Sequence, residues 1–233
     1  MKKYLFIMMG GTGSRMGSHK PKQFLEVGGV PVYEKILKLY SKTNFFDTIC
    51  LICKNEWIEY LKKQLTNNDV INKNQIIIAS GGETRSESVK NGLIKISEIG
   101  AESQDIVLIH DATHMYLDNE NVDRLIKELT SVSAATIVTH VWDTVYQASI
   151  DCEKIDCTLT RKQIAVGASP EGFKFWLLKK IFIDEKHDIN KYTSVGDFVL
   201  KMGYSVKAIW SNVANIKMTF PGDLTVMKMI DNS

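Results

Sequence analysis

The chain contains 233 residues, and its 29 lysines and arginines against 27 acidic residues leave a formal net charge of +2. A charge this small does not indicate nucleic acid or a membrane surface as the main partner, so any cationic function has to be local. The hydrophobic fraction of 44% is ordinary for a globular protein with a sizeable core.

The apolar segments are too short to cross a membrane. No run approaches the ~18 to 20 apolar residues that a spanning helix needs, and the run after the first two lysines is too short for a signal peptide. We therefore expect a cytoplasmic protein. Its four cysteines should be free thiols. Cys50 and Cys53 lie three positions apart on a predicted strand, so they face opposite sides and do not share a metal.

Apolar runs and helical spacing alternate along the chain. Strands are predicted over residues 4–9, 48–53, 75–79, 106–110, 134–139 and 206–210. Helices are predicted over residues 31–41, 56–65, 85–96, 119–129, 172–181, 194–202 and 221–230. This alternation predicts an α/β fold with a doubly wound, mainly parallel sheet covered on both faces. No repeat or linker divides the chain, so residues 1–233 should form a single domain.

The loop over residues 10–24, GGTGSRMGSHKPKQF, follows the first predicted strand. Its glycines allow backbone amides to approach an anion, and Arg15, Lys20 and Lys22 add positive charge. The third glycine of the dinucleotide fingerprint is absent, Pro21 interrupts a long helix, and the Walker spacing is absent as well. The loop is therefore either a cradle for a triphosphate or a glycine-rich turn with solvated cations.

A second glycine-rich segment, GGETRSESVKNGL, covers residues 81–93. Small residues here would let a flat base approach closely, and the hydroxyls of Thr84, Ser86 and Ser88 could recognise its edge. The same letters are also typical of an ordinary capped turn from a strand into a helix. The pattern alone does not separate these two interpretations.

The predicted strand over residues 106–110 leads directly into His110 and Asp111. Asp111 therefore falls at the carboxyl end of the sheet, where ligands bind in open α/β folds. A carboxylate at this position could hold Mg²⁺ together with substrate phosphates, or it could cap the next turn. We expect His110 to be a packed residue at the strand end rather than a metal ligand.

A fourth segment, NVANIKMTFPGDL, covers residues 212–224. Asn215 and Lys217 are two positions apart, so on a strand they would share one face. Asparagine can offer an oxygen to a metal and lysine a point charge to a phosphate, but an exposed strand would show the same letters.

Residues 141–168 break the alternation of strands and helices. The segment contains β-branched residues and turn-prone polar clusters without a helical period, which is typical of a β-hairpin or an extended arm. Such an arm usually lies on a partner, although an ordinary surface hairpin has the same pattern.

In their order along the chain, these motifs resemble the cytidylyltransferases that activate sugar-alcohol phosphates. That family includes 2-C-methyl-D-erythritol 4-phosphate cytidylyltransferase and ribitol-5-phosphate cytidylyltransferase. The matching segments are GGTGSRMG, PKQFL, GGETRSESVKNGL, HDA, DTV, SPEGF, NIKMT and PGDL, and they extend from Gly10 to Leu224. The resemblance implies a doubly wound fold of the nucleotidyltransferase type, binding of CTP and Mg²⁺, and a homodimer formed through an arm at about 141–168.

The resemblance also implies roles for individual residues. Catalytic contacts to the triphosphate would come from Arg15, Lys22 and Lys217. Nucleotide binding would involve Gly10, Gly11, Thr12, Gly13, Gly82, Arg85 and Ser88. The acceptor side would comprise Asp111, Thr144, Arg161 and Thr193, of which Thr144 and Arg161 would reach across from the partner's arm. The metal would be held by Asp111 and Asn215.

The implied reaction transfers CMP from CTP to a polyol phosphate and releases pyrophosphate, without nucleic acid or membrane partners. The form of the first loop favours a ribitol 5-phosphate-like acceptor, used for cell-wall or capsule polymers. 2-C-methyl-D-erythritol 4-phosphate of isoprenoid biosynthesis is the alternative. The chain departs from the family pattern at His114, Glu171 and Val195, all on the acceptor side. A nicotinamide-dependent oxidoreductase and a non-catalytic nucleotide-binding protein are the competing classes.

Overall fold

The computed structural model describes residues 1–11, 20–66, 75–115, 118–213 and 216–231. Its strands are β1 (Lys3–Met9), β2 (Glu26–Val27), β3 (Val30–Pro31), β4 (Thr48–Cys53), β5 (Ile76–Ser80), β6 (Ile106–Asp111), β7 (Ala134–His140), β8 (Tyr146–Ala148), β9 (Ile155–Thr158), β10 (Ala165–Lys174) and β11 (Lys207–Ser211). Its α-helices are α1 (Val32–Ser41), α2 (Asn55–Thr66), α3 (Arg85–Glu98), α4 (Asn119–Glu128), α5 (Phe175–Lys179), α6 (Val195–Lys201) and α7 (Pro221–Asp231). Short helical turns cover Lys22–Phe24, Arg161–Gln163, Lys180–Asp184 and Ile189–Lys191.

Seven strands form the central sheet in the order β11-β7-β10-β6-β1-β4-β5. The pairs β1–β4, β1–β6, β4–β5 and β7–β11 are parallel, whereas β10 runs antiparallel to both of its neighbours. The predicted mainly parallel α/β sheet is therefore confirmed.

The sheet is buried on both faces, as its continuous apolar strands predict. On β1, Leu5, Ile7 and Met9 join the core cluster that includes residues of α1, α2 and α4. Tyr4 and Phe6 point into the opposite cluster, with residues of α3, α5 and α6. Neighbouring residues of one strand thus serve two helical layers, which is the doubly wound arrangement.

The two buried cysteines of β4 follow the same alternation. Cys50 lies in one core cluster and Cys53 in the other. All four cysteines are free thiols. The prediction that Cys50 and Cys53 face opposite sides of the sheet is confirmed.

The helix predicted over residues 172–181 is wrong at its beginning. Gly172, Phe173 and Lys174 belong to β10, and α5 begins only at Phe175. The apolar spacing of this segment suits a helix, but β10 is inserted between β6 and β7 and pairs with both. Pairing with strands far away in the sequence decides its conformation, and local periodicity does not record it.

The segment over residues 141–168 contains the predicted hairpin. Strands β8 and β9 pair with each other and lie outside the central sheet. The end of the segment differs from the prediction, because residues 165–168 already belong to β10. Within the described part of the chain, no helix is both long and apolar enough to cross a membrane.

Candidate active site

A cleft of about 340 Å³ opens at the carboxyl edge of the parallel strands. The end of β1, the turn Lys22–Phe24, the loop before α3 and the end of β6 contribute to its wall. Ligands of doubly wound folds bind at this edge, because the strand ends and the following loops leave a crevice there. Among the residues that the structure describes, three cationic side chains line the cleft, those of Lys22, Arg85 and Lys217.

The loop before α3 is held by its own hydrogen bonds. The Thr84 hydroxyl caps the helix by accepting from the Glu87 amide at 3.1 Å. The Ser88 hydroxyl accepts from the Gly82 amide at 3.0 Å and donates to the Thr84 carbonyl at 2.8 Å. A Cβ atom at Gly82 would come within 2.3 Å of the Glu87 Cβ atom, so the close turn requires glycine. This wall of the cleft is therefore preformed.

Asp111 sits at the end of β6 between two cations. Its Oδ1 atom accepts from Arg85 Nε at 3.2 Å and from Arg85 Nη2 at 3.1 Å. Its Oδ2 atom accepts from Lys217 Nζ at 3.0 Å. Burial acts to raise the pKa of Asp111, but Arg85 and Lys217 outweigh it and hold the pKa well below its usual range. The carboxylate is therefore ionised at neutral pH.

Arg85 also approaches a second carboxylate, Glu171 of β10. The distance from Arg85 Nη2 to Glu171 Oε2 is 3.5 Å. Burial raises the pKa of Glu171, and the attraction of Arg85 opposes this shift. Burial also disfavours the charged guanidinium, but the two carboxylates raise the pKa of Arg85 and keep it protonated.

Lys22 is 8% exposed although it lines the cleft. Its ammonium donates to the carbonyls of Met218 at 3.2 Å and Thr219 at 3.1 Å. The next residue, Gln23, is also buried, and its side-chain amide donates to the carbonyl of Met9 at the end of β1. Lys22 thus connects the first loop to the chain segment that follows Lys217.

His110 supports the end of β6 from inside the protein. It is fully buried, and its Nδ1 atom lies 3.2 Å from the Tyr40 hydroxyl and 3.3 Å from the Ser169 hydroxyl. Its Nε2 atom lies 2.9 Å from the His114 carbonyl, which fixes Nε2 as the protonated nitrogen. Burial lowers the pKa of His110 to about 4. The prediction of a packed residue at the strand end is confirmed.

Comparison with known proteins assigns this chain to a family. Residues 4–232 match the model of the family described as IspD, 2-C-methyl-D-erythritol 4-phosphate cytidylyltransferase. The chain belongs to this family. The ribitol-5-phosphate cytidylyltransferase of Vibrio parahaemolyticus is 33% identical over 96% of this chain and 93% of that protein. The 2-C-methyl-D-erythritol 4-phosphate cytidylyltransferase of Clostridium botulinum is 30% identical over 97% of each chain.

A solved structure shows the same fold. The 2-C-methyl-D-erythritol 4-phosphate cytidylyltransferase (IspD) of Francisella tularensis superimposes with a TM-score of 0.78, at 24% identity, over 98% of this chain and 99% of that chain. Members of the family are CTP-dependent cytidylyltransferases, so the chain is a nucleotidyltransferase. The predicted family, enzyme class and fold are confirmed.

The structure brings most of the predicted CTP-side residues of this cytidylyltransferase together. The predicted residues that line the cleft are Gly10, Gly11, Lys22, Gly82, Arg85, Ser88, Asp111 and Lys217. Thr12, Gly13, Arg15 and Asn215 lie outside the described residues. The roles of all these side chains toward CTP or a metal stay predictions.

Three predicted acceptor residues do not line the cleft of the single chain. Thr144 and Arg161 are exposed on the segment that carries β8 and β9, and Arg161 donates to the Trp142 carbonyl. Thr193 precedes α6, where its amide and hydroxyl contact Asp197 Oδ2 at 3.2 and 3.3 Å. Of the four predicted acceptor residues, Asp111 therefore lies in the cleft with the predicted CTP-side residues, and the other three lie outside it in one copy of the chain.

Sequence reasoning did not single out four of the lining residues, Met8, Gln23, Glu83 and Thr113. Gln23 lies within the PKQFL motif directly after Lys22, so its position next to a predicted catalytic residue could have indicated that it lies at the cleft. Thr113 follows Asp111 in the turn after β6. Nothing in its local sequence distinguishes Thr113 from an ordinary turn residue.

The cleft residues fit a Mg²⁺ ion that is held mainly by substrate. No group of three or more His, Cys, Asp or Glu side chains gathers within the described ranges. Asp111 is ionised and lines the cleft, and one carboxylate together with substrate phosphates is a common set of Mg²⁺ ligands. The donor chemistry therefore suits a metal that enters with a triphosphate.

Proposed function

We propose that the protein transfers CMP from CTP to a polyol phosphate, with a ribitol 5-phosphate-like acceptor favoured. The observation that carries this proposal is the grouping of Lys22, Arg85, Asp111 and Lys217 in one cleft at the carboxyl edge of the sheet. The 33% identity to a ribitol-5-phosphate cytidylyltransferase supports the acceptor.

The reaction requires that one phosphate attack another. A nonbridging oxygen of the acceptor phosphate forms a bond to the α-phosphorus of CTP. The bond from this phosphorus to the bridging oxygen of the β-phosphate breaks, and pyrophosphate leaves with the electron pair. The nucleophile is already anionic, so no general base is needed, and positioning and charge neutralisation supply the catalysis.

Lys22 and Lys217, with Arg15 from the first loop, would neutralise the triphosphate. Gly10, Gly11, Thr12 and Gly13 would offer backbone amides to its phosphates, and Gly82, Arg85 and Ser88 would surround the nucleoside. Mg²⁺, bound by Asp111 and Asn215, would supply Lewis-acid stabilisation of the phosphate charge. Lys217 contacts Asp111 in the free protein, so the bound triphosphate would compete with this carboxylate for the lysine.

Thr193 would bind the acceptor phosphate from the same chain, and Thr144 and Arg161 would reach it from a second copy. We infer a homodimer, because the segment carrying β8 and β9 exposes large apolar side chains. Trp142 is 78% exposed, and Tyr146, Ile150 and Ile155 are exposed as well. Isolated exposed apolar residues are ordinary, but this cluster lies on a hairpin outside the central sheet.

We further propose that residues 1–233 work as a single domain and that the reaction takes place in the cytoplasm. The central sheet contains both the first strand of the chain, β1, and the last, β11, which supports the first statement. The free cysteines are compatible with a reducing compartment, which supports the second.

Other observations support a second candidate acceptor, 2-C-methyl-D-erythritol 4-phosphate. The family model carries that description, and the Clostridium botulinum relative named for that substrate is 30% identical. The screen described below separates the two acceptors.

The proposal is tested by a pyrophosphate-release screen with CTP, Mg²⁺ and a panel of tetritol and pentitol phosphates. We expect the highest kcat/KM with ribitol 5-phosphate. If kcat/KM were highest with 2-C-methyl-D-erythritol 4-phosphate, the second candidate would be the acceptor. Binding of CTP without release of pyrophosphate for any acceptor would indicate a non-catalytic nucleotide-binding protein.

Lys22→Ala tests the role of the first loop in the same assay, with Lys38→Ala as its matched control. We expect Lys22→Ala to abolish turnover, because it removes both a cation of the cleft and the contacts to the Met218 and Thr219 carbonyls. The control is Lys38→Ala, which removes a partly exposed lysine of α1 that pairs with Glu34 and does not line the cleft, so it should leave turnover unchanged. Equal turnover in the two variants would show that the first loop is not catalytic.

A further inference from the structure

Glu171 is a carboxylate placed behind the wall of the cleft. Its side chain is 12% exposed, and it does not line the cleft itself. On β10 it lies opposite Ile109 of β6 and Thr136 of β7. Charged side chains are rarely this buried unless they are paired, so its two partners indicate what it does.

The two oxygens of Glu171 contact two different regions. Oε2 lies 3.5 Å from Arg85 Nη2, in the first turn of α3 on the proposed CTP side. Oε1 accepts from the Gly196 amide at 3.0 Å, in the first turn of α6 on the proposed acceptor side. A Cβ atom at Gly196 would lie 2.7 Å from this oxygen, so a larger residue there would displace the Glu171 carboxylate from its present position.

A second bridge joins the same two regions independently. The Thr84 hydroxyl donates to Asn190 Oδ1 at 2.6 Å, and Asn190 Nδ2 donates to Glu87 Oε1 at 3.1 Å. Thr84 and Glu87 belong to the capped beginning of α3, whereas Asn190 lies in the turn Ile189–Lys191. Thr193 lies between Asn190 and Gly196. The chain is thus connected to the beginning of α3 on both sides of Thr193, directly through Asn190 and indirectly through Glu171.

We propose that Glu171 and Asn190 are positioning residues that hold the segment 189–197, and with it Thr193, against the first turn of α3. The inference rests on the proposed function in taking Thr193 as an acceptor contact. It adds that acceptor affinity depends on these two bridges. CTP affinity does not, because the loop before α3 keeps its own hydrogen bonds from Thr84 and Ser88.

Two substitutions at Glu171 separate its contacts. Glu171→Ala removes both. Glu171→Gln has one carbonyl oxygen and can keep only one, since its amide nitrogen is a donor and both partners are donors. The shorter bond to the Gly196 amide is the one that Gln should retain. Glu98→Ala and Glu98→Gln are matched controls, because Glu98 is an exposed residue of α3 that pairs with Lys95.

The first readout is amide hydrogen exchange in the free protein. Loss of a hydrogen bond to a charged acceptor should speed exchange of the Gly196 amide about 10-fold or more in Glu171→Ala. Glu171→Gln and both Glu98 variants should stay within about 3-fold of wild type. Unchanged exchange at Gly196 in Glu171→Ala would overturn the inference without any reference to catalysis.

The second readout is the KM for the acceptor identified in the screen, compared with the Kd for CTP measured by titration. We expect the acceptor KM to rise about 10-fold in Glu171→Ala and about 3-fold in Glu171→Gln and Asn190→Ala, with the CTP Kd changed less than about 2-fold. An equal loss in both constants would contradict the positioning role. Absence of transfer by the wild-type protein would refute the proposed function, while the exchange result would still decide whether Glu171 holds the segment.

Discussion

Two aspartates at the opposite ends of β6 show how differently this fold uses the same side chain. Asp105 precedes the strand and is 2% exposed, whereas Asp111 ends it with 23% of its side chain exposed. Asp105 accepts from the backbone amides of Lys2 at 2.7 Å and Glu102 at 2.8 Å. Asp111 instead contacts the side chains of Arg85 and Lys217.

The two aspartates differ in whether a ligand could take over their hydrogen-bond partners. Backbone amides are fixed by the fold, so the hydrogen bonds of Asp105 hold the amino end of β6 in place. Flexible cationic side chains can exchange a carboxylate for a phosphate, so Asp111 and its partners form a site that can rearrange when charge arrives. The nature of the partners, rather than burial alone, thus distinguishes the structural role of Asp105 from the role that we propose for Asp111.

The largest effect should come from Asp111→Asn. By analogy with other electrostatic stabilisers, turnover should fall by about 10² to 10³-fold, because the substitution removes the negative charge that orients Arg85 and Lys217 and would bind the metal. Steady-state kinetics at a temperature well below the unfolding transition measures this fall. Wild-type turnover in this variant would place Asp111 with Asp105 as a structural residue.

Asp105→Ala should have the opposite profile. Loss of two hydrogen bonds to a charged acceptor should lower the free energy of unfolding by about 3 kcal/mol. In a chain of this size that corresponds to a Tm lower by about 6 to 12 °C. The kcat of the folded protein should be unchanged at a temperature well below the transition. A fall in kcat without a fall in Tm would contradict the assignment.

The pH dependence of stability should distinguish His110 from Asp111. His110 has a pKa of about 4 in the folded protein and ~6.5 when unfolded, so between these values the unfolded state binds the extra proton. Stability should therefore fall with falling pH, by at most about 1.4 kcal/mol per unit. The pKa of Asp111 is depressed, so its contribution is fully present above its unfolded pKa of ~3.9 and is lost only below that value.

Chemical denaturation at several pH values measures these contributions. The stability difference between wild type and His110→Gln should shrink as the pH falls from 6.5 to about 5. The difference between wild type and Asp111→Asn should stay constant over the same range. If both differences showed the same pH dependence, one of the two pKa assignments would be wrong.

Exposed ion pairs should show the smallest effect. Lys95→Ala removes the contact to Glu98 at 2.8 Å on the surface of α3. Solvent screens such pairs and they contribute little to stability, so the variant should match wild type in turnover and nearly in Tm. A large change in either quantity would show that α3 transmits charge effects from its surface to the cleft.

Much of the carboxyl edge of the sheet could be predicted from the sequence because its signals are local. The apolar run before His110 and Asp111 places this carboxylate at a strand end, and the helical spacing over residues 85–96 predicts a helix that begins at Arg85. Both features depend on neighbours within a few residues. The structure confirms both placements.

The partners of these residues could not be predicted in the same way. Glu171 lies 86 positions from Arg85, and Met218 lies 196 positions from Lys22. Such contacts follow from the antiparallel insertion of β10 and from the return of the chain before α7. The same long-range pairing turned the predicted helical residues 172–174 into a strand.

The proposed transfer of CMP from CTP to a polyol phosphate can be followed directly by ³¹P NMR of the wild-type protein with CTP, Mg²⁺ and ribitol 5-phosphate. We expect the triphosphate resonances to disappear as pyrophosphate and the phosphorus pair of a CDP-polyol appear in equal amounts. An unchanged CTP spectrum with both ribitol 5-phosphate and 2-C-methyl-D-erythritol 4-phosphate, under conditions in which CTP is bound, would contradict the account.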